Sequence, residues 1–77
     1  MKTIKILGTG CPKCEQLAKN VMLAVHQLGM QAEVVKVTNI QEIMKYGVML
    51  TPGLVIDEQV KSAGKVPSAD EIRGMLA

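Results

Sequence analysis

Gly8-Thr9-Gly10-Cys11-Pro12-Lys13-Cys14 decides how this chain reads, because it holds both cysteines and joins a short β-branched run to a long amphipathic helical pattern. A bridge between Cys11 and Cys14 closes a loop too short to remove much unfolded-chain entropy, so stabilising the fold is a poor reason for the pair. Redox or metal chemistry remains. Pro12 suits the first helical position, since its missing N–H is unpaired there anyway and its fixed φ already matches the helix. Cys11 then falls at the N-cap, at the positive end of the helix dipole, with the Lys13 ammonium adding a minor push of the same sign. Its thiol is expected to ionise more readily than a free cysteine at about pKa 8.5. Read forward from Cys14, Ala18, Val21, Val25 and Leu28 recur at helical spacing and put Cys14 on the core-facing stripe. One sulfur is presented and the other shielded.

Working outward, Thr3 to Leu7 is apolar at alternate positions and is stopped by Gly8-Thr9-Gly10, which predicts a strand and a turn. Pro12 to Leu28 is the long helix, closed by Gly29. Ala32 to Val37 is a second strand, parallel to the first through a right-handed βαβ unit. Thr38 and Asn39 are good N-caps for a short helix with Ile40, Ile43 and Met44 on its apolar face, ending before Gly47. Thr51-Pro52 introduces the strand Gly53 to Ile56, and Asp57-Glu58-Gln59 turns the chain into an antiparallel partner, Val60 to Ala63, without the usual turn glycine. Ser68 and Glu71 form a capping box for a last helix whose Ile72, Met75 and Leu76 face inward. The order is β-α-β-α-β-β-α, an α/β domain with the cysteines at the carboxyl end of its first strand, where ligands and chemistry collect in open sheets.

A chain of 77 residues is near the lower limit for one apolar core, so residues 1–77 are expected to form a single domain. Tyr46 is the only aromatic, and the net charge of +2 comes from scattered lysines. With no basic run and no stacking aromatics, nucleic-acid binding is not expected. The first residues lack the apolar h-region and small-residue cleavage site of a secretory signal, and no apolar run reaches membrane-spanning length. A cytoplasmic monomer is the expectation. In that compartment a lone Cys-x-x-Cys at a strand-to-helix junction reads as redox or metal chemistry rather than a structural bridge.

The metal reading is a soft-metal chaperone, since two thiolates suit a soft monovalent ion and small copper and mercury carriers also place Cys-x-x-Cys after a first strand. Those domains follow their first helix with a β-hairpin, whereas a capped helical segment follows Val37 here. Zinc needs about four ligands. His26 lies about 18 Å along the helix from Cys14 at about 1.5 Å per residue, too far to join the same site, and reads as a solvent-facing residue. Met22, Met44 and Met75 read as core filler, and Met49 as part of an apolar rim for substrate.

The order of elements, with Cys11-Pro12-Lys13-Cys14 opening the first helix and Thr51-Pro52 preceding the third strand, resembles the thioredoxin/glutaredoxin superfamily. The resemblance covers essentially the whole chain and is nearest to the very small prokaryotic thioredoxin-like proteins known as redox-active disulfide proteins. It implies a thioredoxin-like fold, with a four-stranded mixed sheet flanked by three helices. It implies that Cys11 is the attacking thiol, Cys14 the resolving thiol, and Pro52 a cis-proline facing them, with the Thr51 backbone pairing with the substrate chain. The function implied is thiol–disulfide exchange on protein or small-molecule disulfides, served by a separate reductase and needing no cofactor. Three departures stand out. Gly10 replaces the aromatic that thioredoxins usually carry before the first cysteine. The first strand offers no carboxylate to take the proton of Cys14. Ser62-Ala63-Gly64-Lys65 replaces the Gly-Gly pair and Asp with which glutaredoxins hold glutathione.

Overall fold

β1 (Lys2–Leu7) is the strand on which the sheet is built. In the computed structural model, which describes residues 2–77, β1 pairs in parallel with β2 (Ala32–Val37) and antiparallel with β3 (Gly53–Ile56). β4 (Gln59–Ala63) adds antiparallel to β3, giving a four-stranded mixed sheet in the order β2-β1-β3-β4. One extra residue, Lys61, bulges from β4, because Val60 and Ser62 oppose the consecutive residues Val55 and Leu54.

The alternation along β1 assigns the helices to faces. Ile4 and Ile6 join Leu54 and Ile56 beneath α1 (Pro12–Leu28) and α3 (Ala69–Leu76), in a core with Leu17, Val21 and Ile72. Leu7 and Val55 point the other way, toward Val37, Val48 and Ile43 of α2 (Ile40–Lys45). The helix ends are capped as the sequence predicts. Asn39 Oδ1 accepts from the Gln41 and Glu42 amides at 2.8 and 3.3 Å, Ser68 and Glu71 form their reciprocal box, and Gly29 closes α1 in a left-handed conformation that favours glycine.

Three expectations about side chains are corrected. The buried stripe of α1 is Cys14, Leu17, Ala18, Val21 and Ala24; Val25 is half-buried and Leu28 exposed. Met22 and Leu28 fall outside that stripe and are exposed. Met22 and Met44 are accordingly not core filler, being 57% and 67% exposed, and Ile40 is exposed as well. A helix as short as α2 buries a single side chain, Ile43.

The hairpin turn is also tighter than expected. Gln59 already belongs to β4, so the turn is Asp57-Glu58, with both residues at positive φ, 48° and 67°. That is the conformation of a two-residue hairpin turn whose usual glycine is missing. Neighbouring groups hold it instead. Asp57 N donates to Thr3 O at 2.8 Å and Asp57 Oδ1 accepts from Thr3 N at 3.0 Å. Lys5 Nζ donates to Glu58 Oε1 at 2.7 Å and to the Tyr46 hydroxyl at 2.6 Å, and that hydroxyl donates to Glu58 Oε2 at 3.1 Å.

Candidate redox site

The chain leaves β1 at Gly8, whose N–H donates to Val37 O at 3.0 Å and so continues the β1–β2 ladder for one more residue. It then turns through Thr9 and Gly10 into Cys11, the N-cap of α1, with Pro12 in the first helical turn. Cys11 and Cys14 are joined as a disulfide with Cα atoms 5.1 Å apart. Cys11 is half-buried, whereas Cys14 is 5% exposed. The Cys14 N–H donates to Cys11 Sγ at 3.2 Å, and the Cys11 carbonyl accepts the first helical hydrogen bond, from Glu15 N at 3.0 Å. The exposed sulfur is thus the one toward which a main-chain amide points. Lys13 is exposed beside it.

Gly8 matters in a way that its sequence does not announce. A methyl group at this position would overlap Cys14 Sγ and lie 3.9 Å from Thr51 Cβ. The second cysteine therefore packs directly on the end of β1, and Thr51 flanks the same point. The Thr51–Pro52 peptide bond is cis, Pro52 is fully buried, and Thr51 is exposed. Pro52 O accepts from Gly64 N at 2.8 Å, which ties this loop to the end of β4. The four residues Cys11, Cys14, Thr51 and Pro52 are thus gathered at one end of the sheet.

Two concavities lie at this end of the sheet, one lined by Thr9 and Thr51 and the other by Cys14. An apolar groove of about 380 Å³ between α2 and the loop before Pro52 is lined by Thr9, Ile40, Met44, Val48, Met49 and Thr51 among others. Met49 is 95% exposed on its rim. On the other side a cavity of about 50 Å³ is lined by Gly8, Gly10, Cys14, Glu15, Lys36 and Thr38, with Ile6 at its base. Glu15 Oε2 and Lys36 Nζ are 3.5 Å apart at its mouth. A larger groove of about 750 Å³ runs along α1 and β2 and meets the site only at that Glu15–Lys36 pair. His26 is exposed, and among the described residues no three His, Cys, Asp or Glu side chains converge as a metal cluster.

This architecture, a disulfide-bonded cysteine pair opening the helix after the first strand of a four-stranded mixed sheet, defines a thioredoxin-like protein. The comparisons agree. The family model for the thioredoxin domain matches residues 2–77. A thioredoxin of Methanocaldococcus jannaschii is 49% identical over 76 residues, covering 99% of this chain and 87% of the relative. A thioredoxin of Methanothermobacter thermautotrophicus is 40% identical over 77 residues, covering both chains in full. Among solved structures, thioredoxin-2, described as a component of malaria parasite protein secretion machinery, superposes with a TM-score of 0.76 at 12% identity, covering 99% of this chain and 81% of that one. That likeness shows the fold alone. The chain belongs to the thioredoxin family of thiol–disulfide oxidoreductases, and its two cysteines stand as a disulfide.

Proposed function

We propose that the chain exchanges disulfides with other proteins, with Cys11 as the attacking thiol and Cys14 as the resolving one. The observation that carries this reading is the hydrogen bond from the Cys14 N–H to the half-exposed Cys11 Sγ, at 3.2 Å. In the reduced protein the same amide and the positive end of the 17-residue α1 favour a thiolate at Cys11. Pro12 supports this start of the helix because it brings no further N–H to be satisfied, and exposed Lys13 adds a screened positive charge.

The cycle needs only sulfur. Cys11 thiolate attacks one sulfur of a target disulfide, a Cys11–target bond forms, and the other target sulfur leaves as a thiolate. Cys14 then attacks Cys11 Sγ, the Cys11–target bond breaks, and the target departs carrying two electrons while the Cys11–Cys14 bond closes. Thr51 and Pro52 receive the target chain. Thr51 is exposed, and its main chain makes no hydrogen bond to another main-chain group among the described residues, so it is free to pair with an extended segment. A separate reductase reopens the pair. The chain works as a monomeric single domain in the cytoplasm, where reductants keep such a pair cycling.

Cys14→Ser is the direct test. It is expected to accumulate covalent adducts through Cys11 with disulfide-bearing proteins, while Cys11→Ser accumulates none. A Cys14→Ser protein that traps nothing while the wild type reduces insulin disulfides would refute these roles. Tight copper(I) binding together with failure to reduce insulin would replace them with metal carriage.

A further inference from the structure

Cys14 must lose a proton before it can attack, and its side chain is buried at the end of β1, where a thiolate is disfavoured. Resting on the roles just proposed, we infer that Glu15, held by Lys36, takes the Cys14 proton through a water in the cavity beside that sulfur.

The cavity wall leaves little choice. Of its lining residues, Ile6, Gly8 and Gly10 bring no ionisable side chain, and Lys36 as an ammonium has donors but no acceptor. Thr38 can pass a proton but not keep one. Glu15 is the only carboxylate on the wall. Its placement is built into the helix: it is the residue after Cys14 in the first turn of α1, so the chain that buries the sulfur brings the carboxylate to the cavity rim. Lys36 comes from the parallel neighbour β2, on the strand face that also carries Ala32 and Val34 against α1. The pair lies 3.5 Å apart with both side chains about half exposed, 53% for Glu15 and 58% for Lys36. Such a pair contributes little to stability. It does hold the carboxylate beside Lys36, and both residues line the cavity. The cavity, about 50 Å³, exceeds the roughly 15 Å³ that one water requires, and Glu15, Lys36 and Thr38 are among the residues that line it. The other charged side chains on this flank are Lys19, on the same groove as Glu15 and Lys36, and Lys13, in the first helical turn; both are cations and neither competes for the proton.

The step balances. The water gives a proton to the Glu15 carboxylate as it takes one from the Cys14 thiol, and the resulting thiolate displaces the target sulfur from Cys11. The proton then passes from Glu15 to solvent or to the departing target thiolate. Acceptor and sulfur are neighbours in sequence, on a helix, and no acidic residue of the central strand is used.

Dithiobis(nitrobenzoate) separates the two chemical steps in a single turnover of the reduced protein. Attack by Cys11 releases the first thionitrobenzoate and resolution by Cys14 the second. Glu15→Gln is expected to leave the first release at the wild-type rate and to slow the second about a hundredfold at neutral pH, the low end for a lost general base. The pH profile identifies the cause. With the acceptor in place the second release is nearly level through neutral pH. In Glu15→Gln it climbs with hydroxide and rejoins the wild type only above the free-thiol pKa of about 8.5. A merely structural role for Glu15 gives no such convergence. A second release in Glu15→Gln that matches the wild type, or is slowed equally at every pH, overturns the inference. Absence of any first release from the wild type would instead overturn the oxidoreductase reading beneath it.

Discussion

At the hairpin end of the β1–β3 ladder Asp57 and Glu58 are tied to Thr3, Lys2, Lys5 and Tyr46, whereas at the cysteine end Ile40, Met44, Met49 and Leu50 stand exposed around a disulfide. The two regions lie at opposite ends of the same ladder. One is fixed by charges that have partners; the other keeps apolar side chains in water with none. Exposed apolar side chains clustered at one place suit a surface meant to be covered intermittently, and Ile40, Met44 and Met49 line one groove with Thr9 and Thr51. The contrast separates a turn that holds the fold from an edge to which the proposed exchange assigns the target.

The sharpest way to break that contrast is at Gly8, where the fold and the site share one atom's width of space. Gly8→Ala forces its methyl group into Cys14 Sγ, which is buried and bonded to Cys11, so the strand end or the sulfur must shift. Overpacking of this kind costs about 1–3 kcal/mol, so the oxidised protein is expected to unfold at clearly lower denaturant concentration. Resolution by Cys14 should also slow. An unchanged midpoint for Gly8→Ala would mean that Cys14 does not pack on the end of β1.

A middle-sized effect is expected at the apolar rim. Met44 and Met49 are exposed and support nothing in the core, so Met44→Glu with Met49→Glu should leave the unfolding midpoint almost unchanged. The pair should raise KM for a protein disulfide about fivefold, as for the loss of roughly 1 kcal/mol at an interface, without altering the reaction with dithiobis(nitrobenzoate). Equal effects on large and small disulfides would show that the rim tunes sulfur chemistry and does not dock a target.

What the sequence made legible follows the same division between local and remote causes. The strand stop, Pro12 at the helix start and the caps at Asn39 and Ser68 are local devices, and each element they bound lies where its pattern predicts. The face of α2 was not legible. Ile40, Ile43 and Met44 share one helical face, but the second core has room for Ile43 alone. The stripe of α1 was legible at Cys14, Ala18 and Val21, but Leu17 and Ala24 were missed and Leu28 is exposed. Gly8 read as a turn residue because its second duty, clearing Cys14, depends on tertiary packing. Glu15 and Lys36 meet only through the parallel pairing of β2 with β1, and neither carries a local signal. The turn Asp57-Glu58 was misjudged because its support comes from Lys5 and Tyr46, which lie far from it along the chain.

The smallest effects belong to that turn. Glu58 sits at φ 67°, strained for a residue with a side chain, and its carboxylate is held below the usual range first by Lys5 and then by the Tyr46 hydroxyl. Asp57 is held below its usual range first by the Thr3 N–H and then by Lys2. Carboxylates so held bind protons less readily in the folded chain than in the unfolded one. Their contribution is therefore complete above the ordinary carboxylate pKa of about 4 and is lost as pH falls below it. Lys5 is shifted upward by Glu58 and Tyr46, so its contribution persists through neutral pH and fades only above the ordinary lysine range. Glu58→Gln keeps the strained backbone and removes the charge, whereas Glu58→Gly removes both. At neutral pH, Glu58→Gln is expected to melt a few degrees below the wild type, and Glu58→Gly above Glu58→Gln, because glycine accepts the positive φ without cost. The gap between wild type and Glu58→Gln should narrow as the pH drops below about 4, where the unfolded chain takes up the proton first, and close once the folded chain is protonated as well. Neither variant should alter thionitrobenzoate release at the far end of the sheet. A gap that stays constant into acid would mean that the Glu58 side chain supports the turn by packing and not by charge.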